Sequence, residues 1–216
     1  MKNEIQKDQC VWGKYIGGGA FGKVYEVECQ GKKYAGKKIP KSKLNSKNSQ
    51  ISFKREIDIL KRMSICENSV KFHSHFDDQY YEIIILELCD CTLTDFSEKS
   101  INGFNSDLIY SIIDGLNNAF ICMNQNNIIH RDIKLDNIMI KYTDSSHKKF
   151  IPKINDYGLS RLLQAGIAST YCGSPVYMAP EVLLYQKYGT KADLWSIGVM
   201  IYYIHFKDFP FDFKME

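Results

Sequence analysis

Apolar and polar residues change their period along the chain, and the changes mark its elements. From Val11 the spacing is that of a strand. It breaks at Gly17-Gly18-Gly19-Ala20-Phe21-Gly22 and resumes at Val24-Tyr25-Glu26-Val27-Glu28-Cys29. Gln30-Gly31 predicts a hairpin turn into a third strand over residues 33–39. Residues 52–64 switch to helical spacing, with Phe53, Ile57 and Leu60 at i, i+4 and i+7 on one apolar seam. Residues 82–88, Glu-Ile-Ile-Ile-Leu-Glu-Leu, are an apolar run of strand length bounded by acids and predict a core strand. Helical patterns dominate from about residue 92. Ser106 is a candidate cap for a helix reaching about Gln125, whose Ile109, Ile112, Ile113, Leu116, Phe120 and Met123 fit a 3.6-residue period. Gly115 inside it costs about 1 kcal/mol relative to Ala. Strands at 138–140 and 150–154 flank a polar loop, and residues 159–177 predict a mobile loop. The apolar run 194–206 is shorter than the ~20 residues a bilayer needs. It contains Ser196, Gly198 and His205, and predicts a buried core helix. The resulting division is a polar, poorly ordered leader over residues 1–10, a strand-rich part over 11–89 and a helical part over 90–216.

Composition narrows the partners. The 216 residues are 44% hydrophobic and 25% charged, with a formal net charge of +3, too small to argue for nucleic acid or membrane insertion. The Lys-rich piece 41–47 reads as a solvated loop. Seven cysteines are scattered, odd in number and without a CxxC pair, and no secretory leader precedes them. They predict reduced thiols and a cytoplasmic protein. Cys89-x-Cys91 and His73-x-His75 lack a second ligand pair at zinc spacing.

Chemistry concentrates in residues 130–137, His-Arg-Asp-Ile-Lys-Leu-Asp-Asn, set between Ile128-Ile129 and Ile138-Met139-Ile140. Charges between buried strands are expensive unless they have a job. One job fits: Asp132 accepts a proton from a hydroxyl, Lys134 screens a phosphate and Asn137 helps hold a metal ion. Asp156-Tyr157-Gly158, a carboxylate at a strand end followed by glycine, is what a Mg²⁺ ligand on a loop would look like. Gly17, Gly19 and Gly22 fit G-x-G-x-x-G. A dinucleotide fold would need a helix next and an acid about 20 residues on; here a strand follows, then Lys37-Lys38. The remaining readings are a hairpin tip covering phosphates, with Lys37 reaching them from the next strand, or a flexible hairpin with a surface lysine. Glu56, beside the helical seam, can point inward at Lys37 or outward at water.

In order and spacing these motifs resemble the eukaryotic protein kinase family, serine/threonine type, over residues 11–213. The matching positions are Gly17–Gly22 with Val24, Lys37 with Glu56, the loop 130–137, Asp156-Tyr157-Gly158, Ala179-Pro180-Glu181 and Asp193-x-Trp195-Ser196-x-Gly198. The resemblance implies an α+β, bilobal protein-kinase-like fold, with a small antiparallel-sheet N-lobe and a mainly helical C-lobe. It implies an ATP- and Mg²⁺-dependent transfer of the γ-phosphate to Ser/Thr hydroxyls of protein substrates. In that role Gly17, Gly18, Gly19, Ala20, Phe21 and Gly22 cover the phosphates, and Lys37 holds them while paired with Glu56. Asp132 takes the proton, Lys134 screens the γ-phosphate, and Asn137 and Asp156 hold Mg²⁺. Leu86 stands as gatekeeper, Glu87 to Cys89 as the hinge, and Val24, Ala35 and Met139 sandwich the base. Lys134, two after Asp132, follows the serine/threonine pattern. Arg131 is expected to bind a phosphate on Thr170, with Ser169 next in line. Residues 170–175 and 185–196 resemble the autophagy-initiating (ULK-type) kinases, with calcium/calmodulin-kinase-like enzymes as other relatives. The resemblance leaves room for regulatory partners.

Three departures set expectations. Tyr157 stands where the family usually has Phe, so its hydroxyl needs a polar partner or water. Gly36 stands where a β-branched residue is common and weakens the strand beside Lys37. The chain stops soon after Asp208-Phe209-Pro210-Phe211, so the C-lobe is expected to be truncated and Glu181 to lack its family arginine. The alternative function is a catalytically silent, kinase-like scaffold or nucleotide-binding module.

Overall fold

A computed structural model provides the structure and describes residues 5, 7–19, 22–100, 103–163 and 172–212. The chain forms two compact units, residues 1–65 with 70–89, and residues 66–69 with 90–216. Residues 66–69, expected among the strand-rich part, pack with the second unit.

The first unit is built on a five-stranded antiparallel sheet in the order β1-β2-β3-β5-β4. Its strands are β1 (Cys10–Gly18), β2 (Lys23–Cys29), β3 (Lys32–Pro40), β4 (Phe72–Asp77) and β5 (Tyr81–Glu87). Gln30 and Gly31 turn between β2 and β3 with φ of 53° and 72°. Two consecutive positive φ values are what a tight hairpin turn needs to match strand twist.

Register then sorts the side chains onto two faces. Val24 lies opposite Lys37 and Ala35 opposite Leu86, so Val24, Ala35, Lys37 and Leu86 share one face. The other face carries the cluster of Ile5, Val27, Cys29, Ile83 and Ile85, edged by Trp12, Tyr34, Phe76 and Tyr81. Gly36 belongs to this second face. A β-carbon there would come within 2.5 Å of the Trp12 ring. Gly36 therefore makes room for the indole, and the Lys38 ammonium lies 3.7 Å from the same ring centroid. What the sequence suggests as a weak point is a packing site.

Two expectations about this unit are corrected. Residues up to 10 are not all a disordered leader. Lys7–Gln9 form a 3-10 turn, Cys10 begins β1, and Ser74 Oγ donates to the carbonyl of buried Ile5 at 2.8 Å. Nor are the cysteines all reduced, because Cys10 and Cys29, directly opposite in the β1–β2 register, form a disulfide. Their 19-residue spacing becomes a contact only through the hairpin, and the cysteines alone do not argue for a reducing compartment.

Helix α1 (Lys47–Met63) starts five residues before the expected residue 52. The Ser46 side chain accepts from Ser49 N and caps it, so the first turn needs no buried residue. Residues 41–44, expected as a plain loop, form a 3-10 turn. Phe53, Glu56, Ile57, Ile59, Leu60 and Met63 are buried.

In the second unit, β6 (Cys91–Thr92), β8 (Ile138–Tyr142) and β9 (Phe150–Ile154) form a sheet, and β7 (Ile128–Ile129) pairs with β10 (Arg161–Leu162). Helix α2 (Leu93–Glu98) is closed by a reciprocal cap between Thr92 and Asp95. Helix α3 (Ser106–Gln125) is capped by Asn105, not by Ser106. It packs on β9 through Gly115, where a β-carbon would meet the Pro152 ring at 2.4 Å. That approach accounts for a glycine in mid-helix. The short α4 (Pro180–Leu183) follows, and half-buried Glu181 forms no ion pair among the described residues. Helix α5 (Lys191–Phe206) is not wholly buried: Asp193, Ser196, Val199, Met200 and Ile204 face inward, while Leu194, Trp195, Tyr202 and Phe206 are exposed. Among the described residues no helix is long and apolar enough to cross a membrane.

Candidate active site

In the first unit, Lys37 extends from β3 and its Nζ lies 2.7 Å from Oε1 of Glu56 on α1. Side-chain exposure is 12% for Lys37 and 7% for Glu56. Of the two readings open for Glu56, the inward one is observed. A carboxylate on the apolar seam of a helix is tolerable because the ammonium neutralises it. Val24, Ala35 and Leu86 lie on the same sheet face as Lys37, leaving an apolar surface beside a cation. Gly17 and Gly18 end β1, and Gly19 N donates to Gly22 O at 3.0 Å, closing the glycine tip. Ala20 and Phe21 lie outside the described residues. At the end of β5, Glu87 N donates to Lys71 O at 2.8 Å, and Leu88 and Cys89 follow in irregular backbone.

In the second unit, residues 130–137 form a loop fixed from below by one buried carboxylate. Asp193 on α5 accepts from the backbone N–H of His130 at 2.7 Å and of Arg131 at 2.8 Å. Burial pushes the Asp193 carboxyl up, while His130 and the two amides pull the other way. Two N–H donors aimed at its two oxygens argue for the carboxylate form. Arg131 takes a φ of 71°, a conformation held by these bonds. The His130 ring lies between Asn155 O, 2.9 Å from Nε2, and Asp132 N, which donates to Nδ1 at 3.3 Å. These partners place its proton on Nε2.

Asp132 is the centre of the loop. Its Oδ1 accepts from Ser174 Oγ at 3.0 Å, and its Oδ2 accepts from Asn137 Nδ2 at 2.9 Å. Lys134 Nζ sits 3.4 Å from Oδ2 and 3.3 Å from Ser174 Oγ. The Asn137 amide also donates to Asp132 O at 2.8 Å, which turns its Oδ1 away from Asp132. Asn155 N donates to Asn137 O at 2.9 Å and brings the following Asp156 beside this loop. Asp156 has a φ of 59°, and the next ring, Tyr157, is buried against His130 at 5.2 Å between centroids. Met139 is half-buried on β8.

Oxygen donors from Asn137 and Asp156 suit a hard cation such as Mg²⁺ and no soft one. Among the described residues no cluster of three or more His, Cys, Asp and Glu is placed to hold a metal ion. His75 instead bonds Glu82, and His73 stacks edge-on against Tyr34.

Arg131 Nε and Nη2 donate to Leu159 O, while its buried Nη1 has no partner among the described residues. Thr170 and Ser169, the candidate phosphate carriers, lie outside those residues. Sequence reasoning missed three contacts: Asp193 to the loop backbone, Ser174 to Asp132 and Ser69 to Tyr157. The first had a signal, an acid inside an apolar helix. The second had none, and for the third the Tyr157 hydroxyl signalled the need for a polar partner without saying which residue supplies it.

Three protons, two buried and one on the half-buried Tyr177, give the second unit a pH signature. Burial pushes the Tyr157 phenol well up, the Tyr177 phenol to about 12 and the Cys66 thiol to about 11, from ordinary values of 10.0, 10.0 and 9.0. The folded chain keeps these protons after the unfolded chain has lost them. Stability is therefore fully present below about pH 9 and falls as pH rises towards 12. Melting temperature should drop across that range, with tyrosinate absorbance lagging behind that of the unfolded chain. A flat melting temperature from pH 9 to 11.5 would contradict the assignment.

Comparison with known proteins gives the family. A family model described as protein kinase domain matches residues 11–216, and the chain belongs to that family. It is 31% identical over 209 residues to serine/threonine-protein kinase 33 of Mus musculus, which covers 93% of this chain and 42% of that protein. It is 32% identical over 192 residues to calcium/calmodulin-dependent protein kinase type 1 of Caenorhabditis elegans, covering 87% of this chain and 53% of the relative. It is also 33% identical over 201 residues to serine/threonine-protein kinase unc-51 of the same organism, covering 87% of this chain and 23% of that protein. The chain thus spans about half or less of the length of these relatives.

Proposed function

We propose that the chain transfers the γ-phosphate of Mg²⁺-bound ATP to serine and threonine hydroxyls of protein substrates. The observation that carries this is the hydroxyl already bonded to Asp132: Ser174 Oγ on Oδ1, with the Lys134 ammonium within reach of both groups. A carboxylate that accepts an O–H beside a cation is arranged to take the proton of an attacking alcohol and to steady the phosphate it attacks. Lys37, held by Glu56, meets the non-transferred phosphates. Gly17 to Gly22 supply backbone N–H groups to the phosphates. Val24, Ala35, Leu86 and Met139 give apolar contact to the base, and the backbone of Glu87 to Cys89 bonds its edge. Asn137 and Asp156 would hold Mg²⁺, which neutralises phosphate charge when bound. The protein's contribution is positioning, because little covalent chemistry falls to it. Names of the relatives, all serine/threonine or calmodulin-dependent kinases, support the acceptor class.

Nucleotide binding tests the reading without requiring turnover. Mg·ATP at a hundred times its dissociation constant should stabilise the chain by about 2.7 kcal/mol, seen as a rise in melting temperature. The rise should shrink when EDTA removes the metal. No shift with saturating Mg·ATP would refute it.

A further inference from the structure

The hydroxyl of Tyr157 is an addition that phosphate transfer does not need, and the structure shows where it goes. It lies 2.8 Å from Ser69 Oγ, 88 residues away in sequence, with Ser69 at 0% and Tyr157 at 1% exposure. Ser69 belongs to the short segment 66–69, which packs with the second unit although the residues on either side of it belong to the first. That segment is stitched to β9. Ile154 N donates to Asn68 O at 2.8 Å, Asn68 Nδ2 donates to Pro152 O at 3.0 Å, and Ser69 forms a bridge with Ile154. Ser69 is thus a fixed point.

Asp156, immediately before Tyr157, holds a left-handed backbone with φ 59° and ψ 72°. A β-carbon makes that conformation unfavourable, so it persists only where neighbours over-determine it. On one side, Asn155 is held through its N–H by Asn137 O and through its carbonyl by His130 Nε2. On the other, Tyr157 is held by its ring against His130, by Ser160 N bonding its carbonyl, and by the Ser69 hydroxyl at the tip of the ring. Of these anchors, only the last reaches outside residues 130–160.

We infer that Ser69 is a positioning residue for Asp156: its hydrogen bond to the Tyr157 phenol fixes the ring, and the fixed ring holds the carboxylate where a cation is to be bound. This rests on the functional reading above for the word cation, but the mechanical part stands without it. Without Ser69 Oγ the phenol is a buried polar group with no partner, and it escapes by moving the ring towards water. The backbone of residues 155–160 then loosens with it. Removing the phenol as well removes the reason to move.

The test is a cycle of Ser69→Ala, Tyr157→Phe and the double variant, read by hydrogen exchange of the amides of 155–160 and by the Mg²⁺ concentration giving half-maximal nucleotide binding. Ser69→Ala should raise exchange in 155–160 at least about fivefold and raise the Mg²⁺ requirement by at least about threefold. The double variant should return both to within about twofold of the parent. Two results would overturn the inference: Ser69→Ala lowering melting temperature while exchange in 155–160 and Mg²⁺ dependence stay at parental values, or a double variant that fails to recover. If the parent chain shows no Mg²⁺-dependent nucleotide binding, the kinase reading fails, and the exchange measurement alone decides whether Ser69 holds the segment.

Discussion

Replacing Lys37 with Met is expected to lower the stability of the folded chain by about 3–5 kcal/mol and to abolish nucleotide binding, two effects with separable causes. The first follows from Glu56. Its carboxylate is 7% exposed and has the Lys37 ammonium at 2.7 Å. Taking away the ammonium leaves a buried charge with no neutraliser, the situation in which removal of one partner is far costlier than the pair was worth. The second follows from position: Lys37 is the Glu56-paired cation on the sheet face that carries Val24, Ala35 and Leu86. A double variant, Lys37→Met with Glu56→Leu, separates the two. It should recover most of the stability, because a packed apolar pair often matches a buried ion pair, and it should still bind no nucleotide. Denaturant midpoints and a nucleotide titration on the three proteins check this. Recovery of binding in the double variant would show that Lys37 does not hold phosphates.

Asp132→Asn should leave the fold unchanged and reduce phosphate transfer by about 10²- to 10⁴-fold, the usual contribution of a positioned general base. The substitution suits the local geometry. Asp132 Oδ2 receives Asn137 Nδ2 and faces Lys134 Nζ, and a single amide oxygen can take that place. The amide nitrogen then faces Ser174 Oγ, which can accept where it formerly donated. Shape and hydrogen bonding survive, while the capacity to take up a proton does not. Melting temperatures within about 2 °C of the parent, together with initial rates, separate lost chemistry from lost structure. A rate within tenfold of the parent would remove Asp132 from the proton-accepting role.

What could be read from the sequence was what depends on near neighbours or on a fixed period. Gln30-Gly31 announces its hairpin because two positive φ values are available to few dipeptides. Once that hairpin closes, register alone places Val24 opposite Lys37. Residues 130–137 were visible as charges between apolar strands, whereas Glu56, beside its seam, was legible only as a choice between Lys37 and water that the fold decides. The start of α1 was not visible, because its first turn is polar and is held by the Ser46 cap instead of by buried side chains. Asn105, one residue before the expected Ser106, takes the cap of α3 because its side chain meets Leu108 N. Less legible still were contacts made over long separations: Cys10 with Cys29, Asp193 under His130 and Arg131, and Ser69 at the tip of Tyr157. Asp193 and the Tyr157 hydroxyl stand out locally, but nothing near them in sequence names their partners, and the cysteines and Ser69 are unremarkable where they stand. Only the folded register turns a scattered cysteine, a helix-opening acid or a loop serine into a partner.

Gly36 and Gly115 show the same limit from the other side. By propensity both weaken the elements that contain them. In the fold each accepts a ring, Trp12 in one case and Pro152 in the other, at a distance no β-carbon would allow. The local rule is correct about the local term, and packing between elements outweighs it.

Phosphate transfer itself is the direct test of the site. The chain should be incubated with ATP labelled at the γ-phosphate and a mixture of peptides offering serine, threonine or tyrosine, with and without Mg²⁺, alongside Asp132→Asn. A serine/threonine kinase with Asp132 as its base should place label on serine and threonine only, dependent on Mg²⁺ and at least about a hundredfold weaker in the variant. Label no greater than that of the variant, or label on tyrosine, would contradict this reading.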